Sequence, residues 1–323
     1  MSLTSKKLTA VLPCYKEEHI IPVMYQRLTD VLKRVTSDYE IIWINDASPD
    51  NSLEVLEKLA DSDQHVKVIS FSRNFGIHRA FSCGLDYASG DGVVLLDGDL
   101  QDPPELIEEF VKKWNEGYDV VYGHRTKRKE TLSRRIAFKL FYRVFAGLSY
   151  IKIPRDVGEF ALLDRKVVEA MKLFGERDRF MRGLRAWVGF KQTGVPYVRD
   201  ARYSGQSTNN LRKNIKWAKL AIFSFSYAPM EFISWLALAT VGLSGLGILF
   251  YFLAYFFSRE IPGFATIILT ILFFSGVQLL CISFLAEYIG RIFEESKARP
   301  LYLIGRTKNI EVTGYSRPPH TVN

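Results

Sequence analysis

Cysteine is scarce in this 323-residue chain: Cys14, Cys83 and Cys281 are odd in number, far apart and in no metal-ligand spacing. That excludes a disulfide framework and a cysteine-built zinc site, and it fits a reducing compartment. A G-x-G-x-x-G fingerprint is also missing. After the first apolar run the chain reads Pro13-Cys-Tyr-Lys-Glu-Glu18, which counts against a dinucleotide-dependent dehydrogenase. No apolar run ending at a small-residue cleavage site opens the sequence, so no secretory signal is expected. Internal repeats and low-complexity tracts are absent.

Charge is missing where it matters most. The formal net charge is +8, yet residues 232–257 and 263–286 contain no charged side chain. Each run exceeds the about 20 apolar residues needed to span a hydrocarbon core, which predicts two transmembrane helices. Ser258-Arg-Glu-Ile-Pro262 between them predicts a tight hairpin. Arg212, Lys213, Lys216 and Lys219 precede it, and Arg291, Lys297, Arg299, Arg306 and Lys308 follow. The positive-inside rule then predicts a multi-pass protein of the inner membrane, with the large N-terminal part and both termini in the cytoplasm.

Residues 210–227 place Leu211, Ile215, Ala218, Ile222 and Phe225 at helical spacing beside Arg212, Lys216 and Lys219, with Trp217 nearby. That pattern predicts a helix lying in the membrane interface, and 287–299 is a second candidate. The cations thus belong to bilayer flanks, where anionic lipid accounts for them. Nucleic acid is not an expected partner.

The first 209 residues read differently. Apolar, β-branched runs at 8–12, 40–44, 66–71, 92–96 and 119–122 alternate with helical patterns at 18–35, 52–60, 78–88 and 104–114. Such alternation predicts an α/β fold, a Rossmann-like mostly parallel sheet with helices on both faces. The expected division is 1–209 for this cytoplasmic domain, 210–229 for the juxtamembrane helix, 230–287 for the hairpin and 288–323 for a C-terminal helix and tail.

Ligands of open α/β sheets bind beyond the carboxyl ends of the strands. There the chain reads Leu95-Leu-Asp-Gly-Asp-Leu-Gln-Asp-Pro-Pro-Glu105, three acids within six positions after an apolar run. Asp97 and Asp99 could share a hard divalent cation whose shell a diphosphate completes, as Mg²⁺ prefers. Equally, they could be ordinary turn residues. Asn45-Asp-Ala-Ser-Pro-Asp50 follows the second run, and the basic stretch His124-Arg-Thr-Lys-Arg-Lys-Glu130 follows the fifth. The latter is expected to be a loop suited to phosphate contact.

Taken in order, Val11-Leu-Pro13, Arg73-Asn-Phe-Gly76, Asp97-x-Asp-Leu-Gln-Asp-Pro103, Val157-Gly-Glu-Phe160, the two apolar runs and Glu287-Tyr-Ile-Gly-Arg291 resemble the family 2 glycosyltransferases of the GT-A fold. Within that family the chain resembles the polyprenyl-phosphate glycosyltransferases: the dolichyl-phosphate mannose synthases and, more closely, the GtrB-type bactoprenol glucosyltransferases. The resemblance implies transfer of a hexose, glucose from UDP-glucose, onto undecaprenyl or another polyprenyl phosphate at the cytoplasmic membrane face, with inversion. It implies that Pro13, Tyr15, Glu17 and Asp46, with Asp97, line the nucleotide. Asp97, Asp99 and Gln101 would hold Mg²⁺ or Mn²⁺, offsetting charge on the departing diphosphate.

On the acceptor side, a phosphate monoester has a second pKa of about 6 and is largely dianionic at neutral pH, so it needs little deprotonation. A carboxylate there orients more than it abstracts. The resemblance implies a catalytic set of Asp99, Asp156 and Glu159. Glu159 stands where the family usually has Asp and Ala161 where an Arg often follows, and a structural ion pair is the competing reading for either acid. Val198-Arg-Asp-Ala-Arg-Tyr-Ser-Gly-Gln-Ser207 resembles the acceptor-phosphate motif, implying Arg202 first, then Arg199, Arg125 and Ser207 as phosphate ligands. Thr208 stands where many relatives carry Lys, leaving Lys213 or the region of Arg128 as substitutes. The same chemistry with GDP-mannose or another nucleotide sugar, and a membrane-anchored binding protein without turnover, are the alternatives. A homo-oligomer is compatible with the sequence, and a separate flippase is expected to move the lipid product.

Overall fold

β1 (Leu8–Cys14) and β2 (Tyr39–Asn45) are buried along their whole length, as strands covered on both faces must be. The computed structural model describes residues 2–127, 151, 154, 156–177, 179–199, 223–257 and 263–312. β1 pairs in parallel with β2 and with β4 (Gly92–Leu95), and β2 pairs in parallel with β3 (Val66–Phe71). Side chains alternate between two cores. Leu8, Ala10, Leu12, Ile41 and Trp43 point to one; Val11, Ile42 and Ile44 point to the other, as the period of two requires.

Helices cover both cores. α1 (Ile21–Val35) buries Ile21, Met24, Leu28, Val31 and Leu32 in the first, a spacing that sets one apolar stripe along the helix. α2 (Ser52–Ser62) adds Leu56 and Ala60, and α4 (Ile107–Asn115) adds Phe110, Val111 and Trp114. α4 also carries Glu108 and Glu109 in its first turn and Lys112 and Lys113 in its last, charges that complement the helix dipole. The second core takes Ala80, Phe81 and Leu85 of α3 (Ile77–Tyr87), Val167, Val168 and Met171 of α5 (Arg165–Lys172), and Met181 and Leu184 of α6 (Met181–Trp187).

The full sheet has eight strands in the order β7-β5-β6-β4-β1-β2-β3-β8, where β5 is Val120–Lys127, β6 Val157–Asp164, β7 Gln192–Val198 and β8 Ile304–Lys308. β6 runs antiparallel to both β4 and β5, whereas β5 and β7 are parallel. This reversal positions the site. Because Leu95 faces Ala161, β6 begins where β4 ends.

α7 (Ala228–Phe257) and α8 (Phe264–Ser296) are each long and apolar enough to cross a membrane. Trp235 and Ile248 on α7 are both 72% exposed, which a water-soluble domain would bury. α8 departs from expectation at its end. Residues 287–296 continue the apolar helix without a break, so no separate interfacial helix starts at 287; the Glu287–Arg291 pair at i,i+4 supports the continuation. The interfacial helix expected over 210–227 lies outside the described residues except for its end, where 223–225 are helical.

Two further differences have physical causes. His124, Arg125 and Thr126, expected in a loop, extend β5, because β6 and β7 bond to it from either side. Arg128 to Glu130 lie outside the described residues. β8, which lacks an apolar run, forms because β3 offers an open edge: Val68 to Phe71 pair antiparallel with Lys308 to Ile304. Tyr302 anchors the approach, stacking on Phe71 at 5.2 Å and donating to Asp86 Oδ2 at 2.7 Å. β8 thereby covers an edge that would otherwise template aggregation.

Candidate active site

All the described candidate site residues lie at one edge of the sheet. β1 ends into Pro13, Tyr15 and Glu17, β2 into Asp46, and β4 into Asp97, Asp99 and Gln101. β5 ends at the same edge with Arg125, since His124 pairs with Val157, and β7 ends there with Arg199, since Lys127 pairs with Val198. The antiparallel β6 starts there, bringing Asp156 and Glu159. Arg202 and Ser207, with Thr208 and Lys213, lie outside the described residues. The connections toward the apolar helices leave from this edge too: β7 runs out at Val198, and β8 enters opposite Phe71, the last residue of β3.

Backbone strain is concentrated here. Lys16 (φ 62°), Ala47 (φ 53°), Leu100 (φ 58°) and Asp156 (φ 55°) are left-handed non-glycine residues, each just beyond a strand end on this edge. Such conformations cost about 1–3 kcal/mol each and persist where surrounding contacts over-determine them.

The turn Asp97-Gly98-Asp99 packs against the end of β1. A Cβ on Gly98 would fall 2.5 Å from Glu17 Oε2 and 2.9 Å from the Pro13 carbonyl oxygen, so only glycine lets the acidic turn approach Glu17. Asp99 Oδ1 accepts from the Gln101 backbone N–H at 3.1 Å. Arg199 stands opposite: its Nη2 lies 3.7 Å from Asp97 Oδ2 and 3.8 Å from Asp99 Oδ2, while its Nε donates to Asp102 Oδ1 at 3.2 Å. Arg199 is therefore hydrogen-bonded to Asp102 and only near the other two carboxylates.

Asp102 is the hub. It is 0% exposed, its Oδ1 also accepts from the Tyr197 hydroxyl, and its Oδ2 lies 3.6 Å from Arg125 Nη2. Arg125 Nε donates to the Tyr197 oxygen at 3.1 Å. Burial, and then the negative charge of Asp102, pushes the Tyr197 hydroxyl well above the ordinary phenol range. Burial likewise pushes Asp97 up to about 7, reinforced by Asp102 and Asp99 and opposed by Arg199. Two arginines, Arg199 and Arg125, do not neutralise three acids.

That deficit bears on a metal. Asp97 Oδ1 is buried and accepts no hydrogen bond among the described residues, as an oxygen reserved for a cation would. No three His, Cys, Asp or Glu side chains among the described residues form a ready metal cage. The two carboxylates suit Mg²⁺ or Mn²⁺, hard cations that keep water and substrate phosphates in their shells.

On the nucleotide side, Tyr15 is 40% exposed at the rim, whereas Asp46 is buried. Asp46 Oδ1 accepts from the Phe75 N–H at 2.6 Å and Oδ2 from the Gly76 N–H at 2.9 Å. Its carboxylate thus holds the loop that opens α3, and burial raises its pKa against these two bonds.

Glu159 is 7% exposed and ion-paired: Arg182 Nε donates to its Oε1 at 2.9 Å. Arg182 also donates to the Val157 carbonyl at 3.2 Å, and Arg185 to the carbonyls of Glu159 and Gly158 at 3.4 and 3.2 Å. Of the two readings left open for Glu159, the ion pair is present; its charge still reaches Asp97 and His78. His78, on the first turn of α3, is driven down to about 4 chiefly by burial and is neutral at pH 7. Asp156 accepts at its backbone carbonyl from the Arg125 N–H at 3.0 Å.

Asp102, Tyr197, Arg182 and Arg185 were not among the sequence candidates. Asp102 lay inside a quoted motif but next to Pro103-Pro104, where an acid reads as a helix start. The others belong to elements with no strong periodicity.

The family model for glycosyl transferase family 2 matches residues 9–171. An uncharacterized glycosyltransferase of Bacillus subtilis strain 168 is 44% identical over 96% of this chain and 97% of its own length. A bactoprenol glucosyl transferase of Shigella phage SfV is 40% identical over 94% of this chain and 99% of its own. Its prophage homologue in Escherichia coli K12 is 37% identical, with the same two coverages. Among solved structures, glucosyl-3-phosphoglycerate synthase from Mycobacterium tuberculosis is similar over 67% of this chain and 77% of that one, at 20% identity and a TM-score of 0.44. By the family match and by its full-length relatives, the chain belongs to glycosyl transferase family 2 and is a glycosyltransferase.

Proposed function

We propose that this glycosyltransferase moves a hexose, glucose from UDP-glucose, onto a polyprenyl phosphate such as undecaprenyl phosphate at the cytoplasmic face of the membrane. One observation carries the reading. The Asp97–Asp99 turn and the Arg199 and Arg125 side chains, tied together by Asp102, share the sheet edge from which the chain departs for two apolar helices. Acids suited to a metal–diphosphate thus lie beside cations suited to a phosphate, on the side from which the chain leaves for the apolar helices. The full-length relatives named as bactoprenol glucosyl transferases support the same acceptor class.

In this reading Tyr15 offers its ring to the base, and Pro13 and Glu17 line the ribose side. Asp46 shapes that wall through Phe75 and Gly76. Asp97 and Asp99, with Gln101, hold Mg²⁺ or Mn²⁺, which would neutralise charge on the leaving diphosphate. Arg199 and Arg125, with Arg202 and Ser207, orient the acceptor phosphate, whose oxygen is already anionic. Asp156 and Glu159 set its line of approach, with Arg182 fixing the Glu159 rotamer. A single in-line displacement inverts the anomeric carbon, because no enzyme nucleophile intervenes.

The test is transfer from radiolabelled UDP-glucose to polyprenyl phosphate in vesicles with Mg²⁺ or Mn²⁺. Label is expected in the lipid fraction, and Asp99→Asn is expected to abolish it. Label from GDP-mannose alone would reassign the donor. No labelled lipid from any common nucleotide sugar would overturn the proposal.

A further inference from the structure

Phe223 and Phe225 form one short bridge between two bodies. Two positions apart on a helical turn, their side chains diverge by about 200°, and each is seated on a different partner. The Phe223 ring lies 5.2 Å from Tyr288 and 6.4 Å from Phe284 of α8, with the Arg291 guanidinium 5.3 Å over its face. Arg291 is in turn held by Glu287 at 3.3 Å. Phe225 is 2% exposed, with its ring centroid 6.1 Å from that of Phe180.

Phe225 also lies directly on α6. A Cβ at Gly183 would come within 2.3 Å of Phe225 Cε2, 2.5 Å of its Cζ and 2.8 Å of Phe180 Cδ1, so the Phe225 ring, with the edge of Phe180 behind it, occupies the space that any other residue at 183 would need. α6 is itself fastened to the site. Arg182, one residue before, holds the Glu159 carboxylate, and Arg185, two residues after, holds the carbonyls of Gly158 and Glu159. A second tie joins the same region to α8: the Arg177 N–H donates to Glu295 Oε1 at 2.8 Å.

From this contact chain we infer that Gly183 is a positioning residue: through Phe225 and Phe223 it fixes how the Glu159 end of the site stands against α8. The inference rests on the polyprenyl-phosphate reading, since placement against the apolar helices matters only to an acceptor held in the bilayer. α6 is bonded to the site and Phe223 is stacked on α8. A side chain at 183 presses hardest on Phe225, the residue that links the two contact sets, and so alters their mutual placement. An acceptor tethered by its tail must then meet the site at the wrong height, whereas a short acceptor arriving from water still fits. A misplacement of about 1 Å is enough to cost up to a hundredfold.

The experiment compares the full-length protein in lipid nanodiscs with its Gly183→Ala, Phe225→Leu and double variants. Leucine at 225 lacks the two ring atoms nearest a Cβ at 183, leaving the longer contact with Phe180 Cδ1 at 2.8 Å, which a small ring rotation relieves. Two acceptors are used, a long-chain polyprenyl phosphate in the bilayer and a short water-soluble prenyl phosphate, with UDP affinity and melting temperature recorded alongside. Gly183→Ala is expected to raise KM for the long-chain acceptor about tenfold or more. The short acceptor and UDP stay within about twofold, and the double variant regains the long-chain KM. Equal losses on both acceptors, an unchanged long-chain KM, or no rescue in the double variant overturns the inference. A wild-type protein that glycosylates neither acceptor defeats the underlying reading of function instead, and with it this one.

Discussion

The Tyr197 hydroxyl donates to Asp102 Oδ1, joining the last residues of β7 to the loop that follows β4. With the Arg199 and Arg125 contacts to the same carboxylate, it makes the acidic turn and the two arginines one unit. Asp102 never meets solvent, and the arginines supply the charge that makes its burial tolerable.

Replacing Asp102 by Asn keeps the shape and removes the charge. Arg125 and Arg199 then lose their shared counterion. The expected cost is about 3 kcal/mol in denaturant unfolding, together with a higher KM for the phosphate acceptor. Tyr197→Phe removes one hydrogen bond to a charged group and is expected to cost about 1.5–3 kcal/mol. A wild-type unfolding curve for Asp102→Asn would show that the hub has no energetic weight.

Asp97 predicts a pH signature. An unfolded aspartate loses its proton at a pH of about 4, whereas folding holds it until about 7. Across that window the folded chain binds the extra proton, so its stability falls as pH rises and levels off above 7. Asp97→Asn abolishes this slope. Without metal, the variant is expected to melt higher than wild type at pH 8, with the gap closing at pH 4. A gap independent of pH would exclude Asp97 as its source.

Glu159 and Arg182 separate support from chemistry by a double-mutant cycle. Arg182→Ala strands a buried carboxylate, with an expected loss of about 3 kcal/mol. Adding Glu159→Gln is expected to recover most of the stability while leaving sugar transfer low. Recovery of both would reduce Glu159 to half of a structural pair.

Tyr302 tests the C-terminal strand. Tyr302→Phe deprives Asp86 of its donor and is expected to cost about 1–3 kcal/mol by calorimetry or denaturant. Arg306→Ala breaks a pair with Glu57 at 3.0 Å whose arginine is 65% exposed, and the expected cost is under about 1 kcal/mol. Equal effects would contradict the assignment of Tyr302 as the anchor.

The alternating pattern of the first 122 residues was legible because β1, β2 and β4 are fully buried strands, and β3 is buried but for Lys67, and their apolar runs have no other use. The edge that carries the candidate site followed from it, since parallel strands share one carboxyl end. Beyond Tyr122 the signal fades. β5 continues through His124 and Arg125 because of neighbours on both sides, a tertiary effect that local propensity does not carry. β8 is legible only from the partner it covers. Among site residues, Asp97 and Asp99 announced themselves by clustering, whereas Asp102 and Tyr197 gain meaning from each other. Asp46 and Glu159 stand at that end of the sheet, and each grips a backbone or a side chain.

β8 lies after the two apolar helices in the chain yet completes the sheet that begins before them. The paired helices are therefore an insertion within the globular body and not an appendage to it. During synthesis the outer edge of β3 stays bare until both helices have left the ribosome, so closing the sheet reports that the hairpin has been made. A single proteolytic cut between the body and either helix would still leave the two halves joined through the other connection.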